Sequence, residues 1–200
     1  MPISQIKTIC EIKTSSCFVP LGGIQEMSIH LFKHNQQAYR AVTAMLEKEK
    51  MAAVIHPTGT GKSLIAFKLA EENPSKHFLW LSPSEYIYQT QLEKLNMKFP
   101  NIQFMSYSRL MKNEDSIETL HPDYIILDEF HRCGAQEWGK SVRKLLDTYP
   151  NAKRLGLSAT NIRYLDNQRN MAEEIFDGKI ASEMTLGEAI VREICRNPNT

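Results

Sequence analysis

The chain has 200 residues, enough for one or two domains that bury a core without disulfide or metal staples. Hydrophobic residues at 42% and charged residues at 24% exclude a disordered or fibrous chain, and no apolar run approaches the roughly 18–20 residues of a membrane span. Lys and Arg number 24 against 23 Asp and Glu, so the net charge of +1 excludes a uniformly basic nucleic-acid coat but leaves room for a local basic cleft.

Residues 1–28 read as an N-terminal extension of weak periodicity, with Pro20-Leu21-Gly22-Gly23 as a turn. Leu31, Asn35, Ala38, Val42 and Leu46 then fall at helical spacing and predict a helix running to Lys50. The apolar run Met51-Ala52-Ala53-Val54-Ile55 predicts a buried strand, and 62–72 a helix. Further along, the pattern predicts a strand over 77–81, a helix over 84–97 with Ser84 as N-cap, and a strand over 102–106. A short helical or irregular stretch covers 108–120. A strand over 124–127 ends in acids, a helix over 137–148 is closed by Pro150, and a strand over 154–157 ends at Ser158. The remainder reads as a helix, a short strand and a closing helix over 186–194.

Short apolar strands alternating with helices predict an α/β fold with a mostly parallel central sheet covered on both faces. In such sheets the functional crevice lies beyond the carboxyl ends of the strands. The four cysteines, Cys10, Cys17, Cys133 and Cys195, form no C-x-x-C pair and no zinc spacing. Residues 1–20 lack the charged start and apolar middle of a secretory signal, so a reduced, cytoplasmic protein is expected.

Two strand ends carry chemistry. After the first core strand comes His56-Pro57-Thr58-Gly59-Thr60-Gly61-Lys62-Ser63. A strand, Gly-x-Gly-Lys-Ser and a helix are the ordered parts of a phosphate-binding loop. The glycines let backbone N–H groups turn inward, and the helix N-terminus adds its positive end. Lys62 supplies a point charge for the β- and γ-phosphates of a nucleotide, and Ser63 a hydroxyl for Mg²⁺. The second strand end, Tyr124-Ile125-Ile126-Leu127-Asp128-Glu129-Phe130-His131, presents adjacent carboxylates. Asp128 suits the magnesium shell, and Glu129 suits orienting or deprotonating a water.

These motifs resemble those of superfamily 2 DEAD/DEAH-box helicases, and most closely the bacterial type III restriction-enzyme-like helicases. In that family the first position of the loop varies, as His56 does here, and Asp128-Glu129-Phe130-His131 is similar to the DExH form of the second motif. Thirty residues after Asp128, Ser158-Ala159-Thr160 is similar to the third motif, followed by Arg163 but without the usual proline. The resemblance spans about 31–160. It implies a three-layer RecA-like P-loop NTPase domain over 29–165, using ATP and Mg²⁺. Residues 166–200 are then expected to form a C-terminal helical tail leading toward a second RecA-like domain. Lys62, Asp128, Glu129 and His131 are the implied catalytic set, and 57–63 the implied nucleotide cradle. Ser158, Ala159 and Thr160 are the implied coupling segment.

The same resemblance places Asn35 where a glutamine reads adenine, with Gln36 or Gln37 as substitutes. It also places Pro83 and Ser84, with Gln89 or Gln91, and Ser106 and Tyr107, on a face that contacts DNA or RNA, DNA being favoured. Trp138 reads as a packing residue, and Cys133 as a bystander. About 40 residues follow Thr160, too few for a second such domain, so that domain is expected elsewhere in a longer chain or in a partner. Two other readings stay open: a non-catalytic adaptor with the same fold, and an AAA+ ATPase. Intact Lys62, Asp128 and Glu129 oppose the first; His56 and Ser158-Ala159-Thr160 oppose the second.

Overall fold

The computed structural model describes residues 28–134, 136–163 and 169–194. The extension expected over 1–28 lies outside them except for Ser28, as do Cys10, Cys17 and Cys195. Periodicity and structure agree closely at the start. Helix α1 (Lys33–Glu49) buries Asn35, Ala38, Val42 and Leu46, and ends at Lys50 in the left-handed conformation. Strand β1 (Met51–Ile55) and helix α2 (Lys62–Glu72) take their expected spans. They are followed by β2 (Phe78–Ser82), α3 (Glu85–Leu95), β3 (Ile102–Ser106), α4 (Tyr107–Lys112) and a 3₁₀ turn over Glu114–Thr119. Next come β4 (Tyr124–Asp128), a second 3₁₀ turn over Phe130–Gly134, α5 (Gln136–Thr148) and β5 (Lys153–Ser158). A two-stranded antiparallel pair, β6 (Ile162–Arg163) and β7 (Arg169–Asn170), leads into α6 (Met171–Phe176), β8 (Ile180–Glu183) and α7 (Leu186–Val191).

Six strands form one sheet in the order β3-β2-β4-β5-β1-β8, and every pairing in it is parallel. Side-chain alternation sorts the core into two layers. Ala52, Val54, Phe78, Trp80, Tyr124, Ile126, Leu155 and Leu157 face α1, α2 and α3. Ala53, Ile55, Leu79, Leu81, Ile125 and Leu127 face α4, α5, α6 and the 3₁₀ turns. On the first face Phe67 of α2 packs on Trp80 with ring centroids 4.6 Å apart. Burying one such aromatic contributes about 1.5–3 kcal/mol. On the second face Gly156 of β5 lies under two rings: a Cβ there would sit 2.4 Å from Phe176 and 2.9 Å from Phe130.

The sheet continues past residue 165. Strand β8 pairs with β1, and α6 sends Met171, Ala172 and Phe176 into the second core layer. Residues 169–183, expected in a tail, are part of the same sheet and core. Asn170 caps α6 through its side-chain oxygen, and Thr185 and Glu188 form a reciprocal capping box on α7. Ser84 sits at the N-cap of α3 but its side chain makes no capping bond; the Ser82 hydroxyl donates to the Ser84 carbonyl instead. Among the described residues no helix is long and apolar enough to cross a membrane.

The register aligns the strand ends. Ile55 pairs with Ser158, and Asp128 pairs with Leu157. Because β5 lies between β1 and β4, the segments that follow these three strands emerge side by side at one edge.

Candidate functional site

The loop over 56–61 connects β1 to α2. Gly59 has φ +88° and Gly61 φ +76°, the left-handed region that a side chain resists. A Cβ on Gly61 would also come within 3.0 Å of Asn35 Nδ2. Thr60 closes the turn on itself, its hydroxyl donating to the Pro57 carbonyl at 2.9 Å. Helix α2 starts with no side-chain cap and no acid in its first turn, so its own side chains place no anion at the N–H groups of its positive end.

The underside of the loop is held from α1. Asn35 Nδ2 donates to the carbonyls of Thr60 at 2.9 Å and Gly61 at 3.1 Å, and His34 Nε2 donates to Thr60 O at 2.8 Å. Asn35 is wholly buried. This corrects its expected role as an adenine reader. An asparagine arm, one methylene shorter than glutamine, ends at the loop backbone, where both amide N–H groups are already engaged. Gln36 is exposed, and its Nε2 donates to Leu31 O at 3.0 Å. His56, which stands where the general loop pattern has glycine, bonds Ser182 Oγ of β8 through Nε2 at 2.8 Å. Burial, with His34 and Lys62 nearby, lowers its pKa to about 4, so the ring is neutral at pH 7.

Across the edge, Asp128 ends β4 almost wholly buried. Burial first, and the neighbouring Glu129 charge second, raise its pKa to about 6 against the opposing pull of Lys62. Its backbone carbonyl accepts the Tyr107 hydroxyl at 2.8 Å. Glu129 takes a left-handed backbone, φ +52°. Such a conformation costs about 1–3 kcal/mol outside glycine and clusters at functional sites. Its carboxylate sits between two partners: Oε1 is 3.5 Å from Lys62 Nζ and Oε2 is 3.4 Å from His131 Nδ1. His131 Nδ1 lies 2.8 Å from Ser158 Oγ. The Ser158 hydroxyl donates its one proton to Thr160 O at 2.6 Å, so His131 is the donor in that bond.

One cavity of about 510 Å³ opens at this edge. The loop and acids line one side through Thr58, Gly59, Lys62, Ser63, Asp128 and Glu129. Helices α2 and α3 line the other through Phe67, Ile87, Gln91, Lys94 and Leu95. Its size suits a small organic ligand. Its charged and hydroxyl side chains, Lys62, Lys94, Thr58, Ser63, Asp128 and Glu129, suit a polyanion carrying a divalent cation. No group of three or more His, Cys, Asp or Glu among the described residues could hold a metal alone.

The expected nucleic-acid face is partly corrected. Tyr107 is buried, stacks on Trp138 with centroids 5.7 Å apart, and has its hydroxyl engaged, so it packs and cannot contact a strand. Ser106 caps α4 by accepting from Arg109 N. Pro83 and Ser84 stay half-buried at the turn between β2 and α3, and Ala159 and Thr160 are half-buried beyond β5. Gln89 is exposed, whereas Gln91 turns inward and donates through Nε2 to Ser63 Oγ at 3.1 Å. Gln91 and Lys94 were not expected in the cavity. A signal existed, because Ile87, Gln91 and Leu95 share one helical stripe.

Residues 28–101 and 93–163 match the family model described as type III restriction enzyme, res subunit. No curated protein sequence matches the chain. Among solved structures, the chain is similar to the ATP-dependent Type ISP restriction-modification enzyme LlaBIII bound to DNA. The TM-score is 0.58 at 19% identity, over 83% of this chain and 16% of that one. It is similar to the Pyrococcus furiosus Hef helicase domain, with TM-score 0.57 and 17% identity over 78% and 40%. It is also similar to the Sulfolobus solfataricus SWI2/SNF2 ATPase core in complex with dsDNA, with TM-score 0.53 and 13% identity over 76% and 37%. At these identities the structures establish the fold, and the chain spans well under half of each. Together the matched residues and the six-stranded parallel sheet show that the chain belongs to the type III restriction enzyme res-subunit family and has the RecA-like fold of its helicase domains.

Proposed function

We propose that this chain is the ATP-binding first motor domain of a nucleic-acid-dependent ATPase, a helicase or translocase. The observation that carries this reading is the convergence of Lys62, Ser63, Asp128 and Glu129 on one cavity, from two strand ends that the sheet sets two strands apart. ATP supplies the scissile phosphoanhydride, and Mg²⁺, which Ser63 and Asp128 would hold, would neutralise charge on its phosphate oxygens.

The chain's own groups do the rest. Loop N–H groups over 58–63 bind phosphate oxygens at the uncapped start of α2. The Lys62 ammonium exchanges its Glu129 partner for phosphate. Ser63 and Asp128 hold the cation. Glu129, released from Lys62, orients the attacking water and accepts its proton. The His131–Ser158–Thr160 bonds carry the state of Glu129 to the segment beyond β5. Pro83, Ser84 and Ser106 mark the edge along which a strand would pass, and the DNA in solved neighbours such as LlaBIII supports DNA over RNA.

The motor is completed by a second RecA-like domain. An arginine supplied across such an interface is worth roughly 10³–10⁵ in rate in related phosphoryl transfer. The chain by itself therefore binds ATP and hydrolyses it slowly. Titration with a fluorescent ATP analogue tests the reading: Lys62→Ala weakens binding at least tenfold, while Glu129→Gln retains binding and abolishes hydrolysis. Unchanged affinity in Lys62→Ala would refute the loop assignment. Brisk, DNA-stimulated turnover by this chain alone would refute the need for a partner domain.

A further inference from the structure

Ser63 has a partner that the motor reading does not use. Gln91, two turns into α3, donates through Nε2 to Ser63 Oγ at 3.1 Å. The other end of the same amide, Gln91 Oε1, is buried and has no hydrogen-bond partner. Gln91 is also the one polar, uncharged side chain that α3 contributes to the cavity lining. An orphan carbonyl oxygen in a buried site leaves its desolvation uncompensated.

A cation on Ser63 reverses what the hydroxyl needs. Oγ then gives a lone pair to the metal, its proton becomes more acidic and must be donated, and an N–H aimed at Oγ opposes the cation's charge. A half-turn of the Gln91 amide about its terminal torsion, which is soft and roughly two-fold, exchanges Nε2 for Oε1. The two side chains keep one hydrogen bond, but its direction inverts: Ser63 O–H donates to Oε1. We infer that Gln91 is the positioning residue of the magnesium site, donating to Ser63 before the cation binds and accepting from it afterwards. The inference rests on the proposed role of Ser63 as a metal ligand. It makes α3, the helix next to the expected DNA track, part of the outer shell of the metal. Outer-shell partners of this kind shift metal affinity about 10–100-fold.

The test measures nucleotide affinity with a fluorescent ATP analogue, once in Mg²⁺ and once in EDTA, and takes the ratio as the metal enhancement. Ser63→Ala sets the value without the ligand. Gln91→Met keeps side-chain length among Ile87, Phe67 and Leu95 but removes the acceptor, and lowers the enhancement about tenfold. Gln91→Glu, which accepts but cannot donate when ionised, retains it. The double variant Ser63→Ala/Gln91→Met loses no more than Ser63→Ala, because Gln91 acts through Ser63. An enhancement unchanged or raised in Gln91→Met overturns the inference while leaving the motor reading intact, provided Ser63→Ala lowers it. Loss in Gln91→Glu equal to that in Gln91→Met overturns the acceptor role. Absence of nucleotide binding by the unmodified chain overturns both.

Discussion

His131 donates from Nδ1 to Ser158 Oγ at 2.8 Å, joining the segment after β4 to the end of β5 across 27 residues of sequence. The bond is one link in a chain. Lys62 faces Glu129, Glu129 faces His131, and His131 holds Ser158, whose proton is committed to Thr160 O. Each link depends on the strand order, because only β5 lies between β1 and β4. These contacts run without a break from the Lys62 ammonium to the Thr160 backbone carbonyl.

The pair is expected to couple energetically. Ser158→Ala and His131→Ala each lower stability by about 1 kcal/mol or more, the net worth of a buried hydrogen bond. The double variant falls short of their sum by about 1 kcal/mol, read from urea unfolding of all four proteins. Strict additivity would show that the bond does not form in solution.

Gly156 predicts a steric result. An added Cβ meets the rings of Phe176 and Phe130 at 2.4–2.9 Å, and rings cannot yield as a flexible chain end can. Gly156→Ala is expected to destabilise the domain by about 1–3 kcal/mol, a fall in melting temperature of roughly 2–12 °C at this size. Phe176→Leu in the same chain recovers part of the loss. Neutral behaviour of Gly156→Ala would mean that the α6 layer sits farther from the sheet.

Acid sensitivity should trace to His56. Its folded pKa of about 4 lies below the ordinary histidine value, so between roughly pH 6.5 and 4 the unfolded chain binds more protons than the folded one. Stability is then fully present above pH 6.5 and is lost as pH falls toward 4. From pH 7 to pH 5 the loss assignable to this ring is about 2 kcal/mol at most. His56→Gln, measured against the parent at both values, should show a flatter pH dependence of melting. An equal slope in both would place the acid sensitivity elsewhere.

Asn35 separates loop support from base reading. Asn35→Ala removes two hydrogen bonds to the loop carbonyls and should lower both stability, by about 1–3 kcal/mol, and nucleotide affinity. The preference for ATP over GTP should be unchanged, because no Asn35 N–H is available to a base. A selective loss of ATP affinity would restore the adenine role.

The legible parts of this protein are those whose chemistry is local. Alternation every three to four residues announced α1, and unbroken apolar runs announced β1 and β4. Gly59, Gly61 and Lys62 declare a phosphate loop because backbone freedom and a charge at a helix start are needed together. Asp128 and Glu129 declare themselves by standing at a strand end. The less legible parts depend on partners distant in the chain.

Asn35 and Gln91 show the limit. Both are amides on helices expected to face a ligand, a base for one and a nucleic-acid strand for the other. One instead braces the loop from beneath, 25 residues away, and the other reaches the loop serine, 28 residues away. Glu129 shows it as well, since its left-handed turn is set by neighbours and not by glutamate's own preference. Likewise β8, a short run of modest hydrophobicity, joins the sheet along the edge of β1, where His56 also bonds Ser182. The order of residues alone determined which groups could bind a charged ligand, since that follows from composition and spacing. The packing of helices on the sheet decided where each amide and carboxylate points, because a hydrogen bond between distant residues exists only once the chain between them has folded.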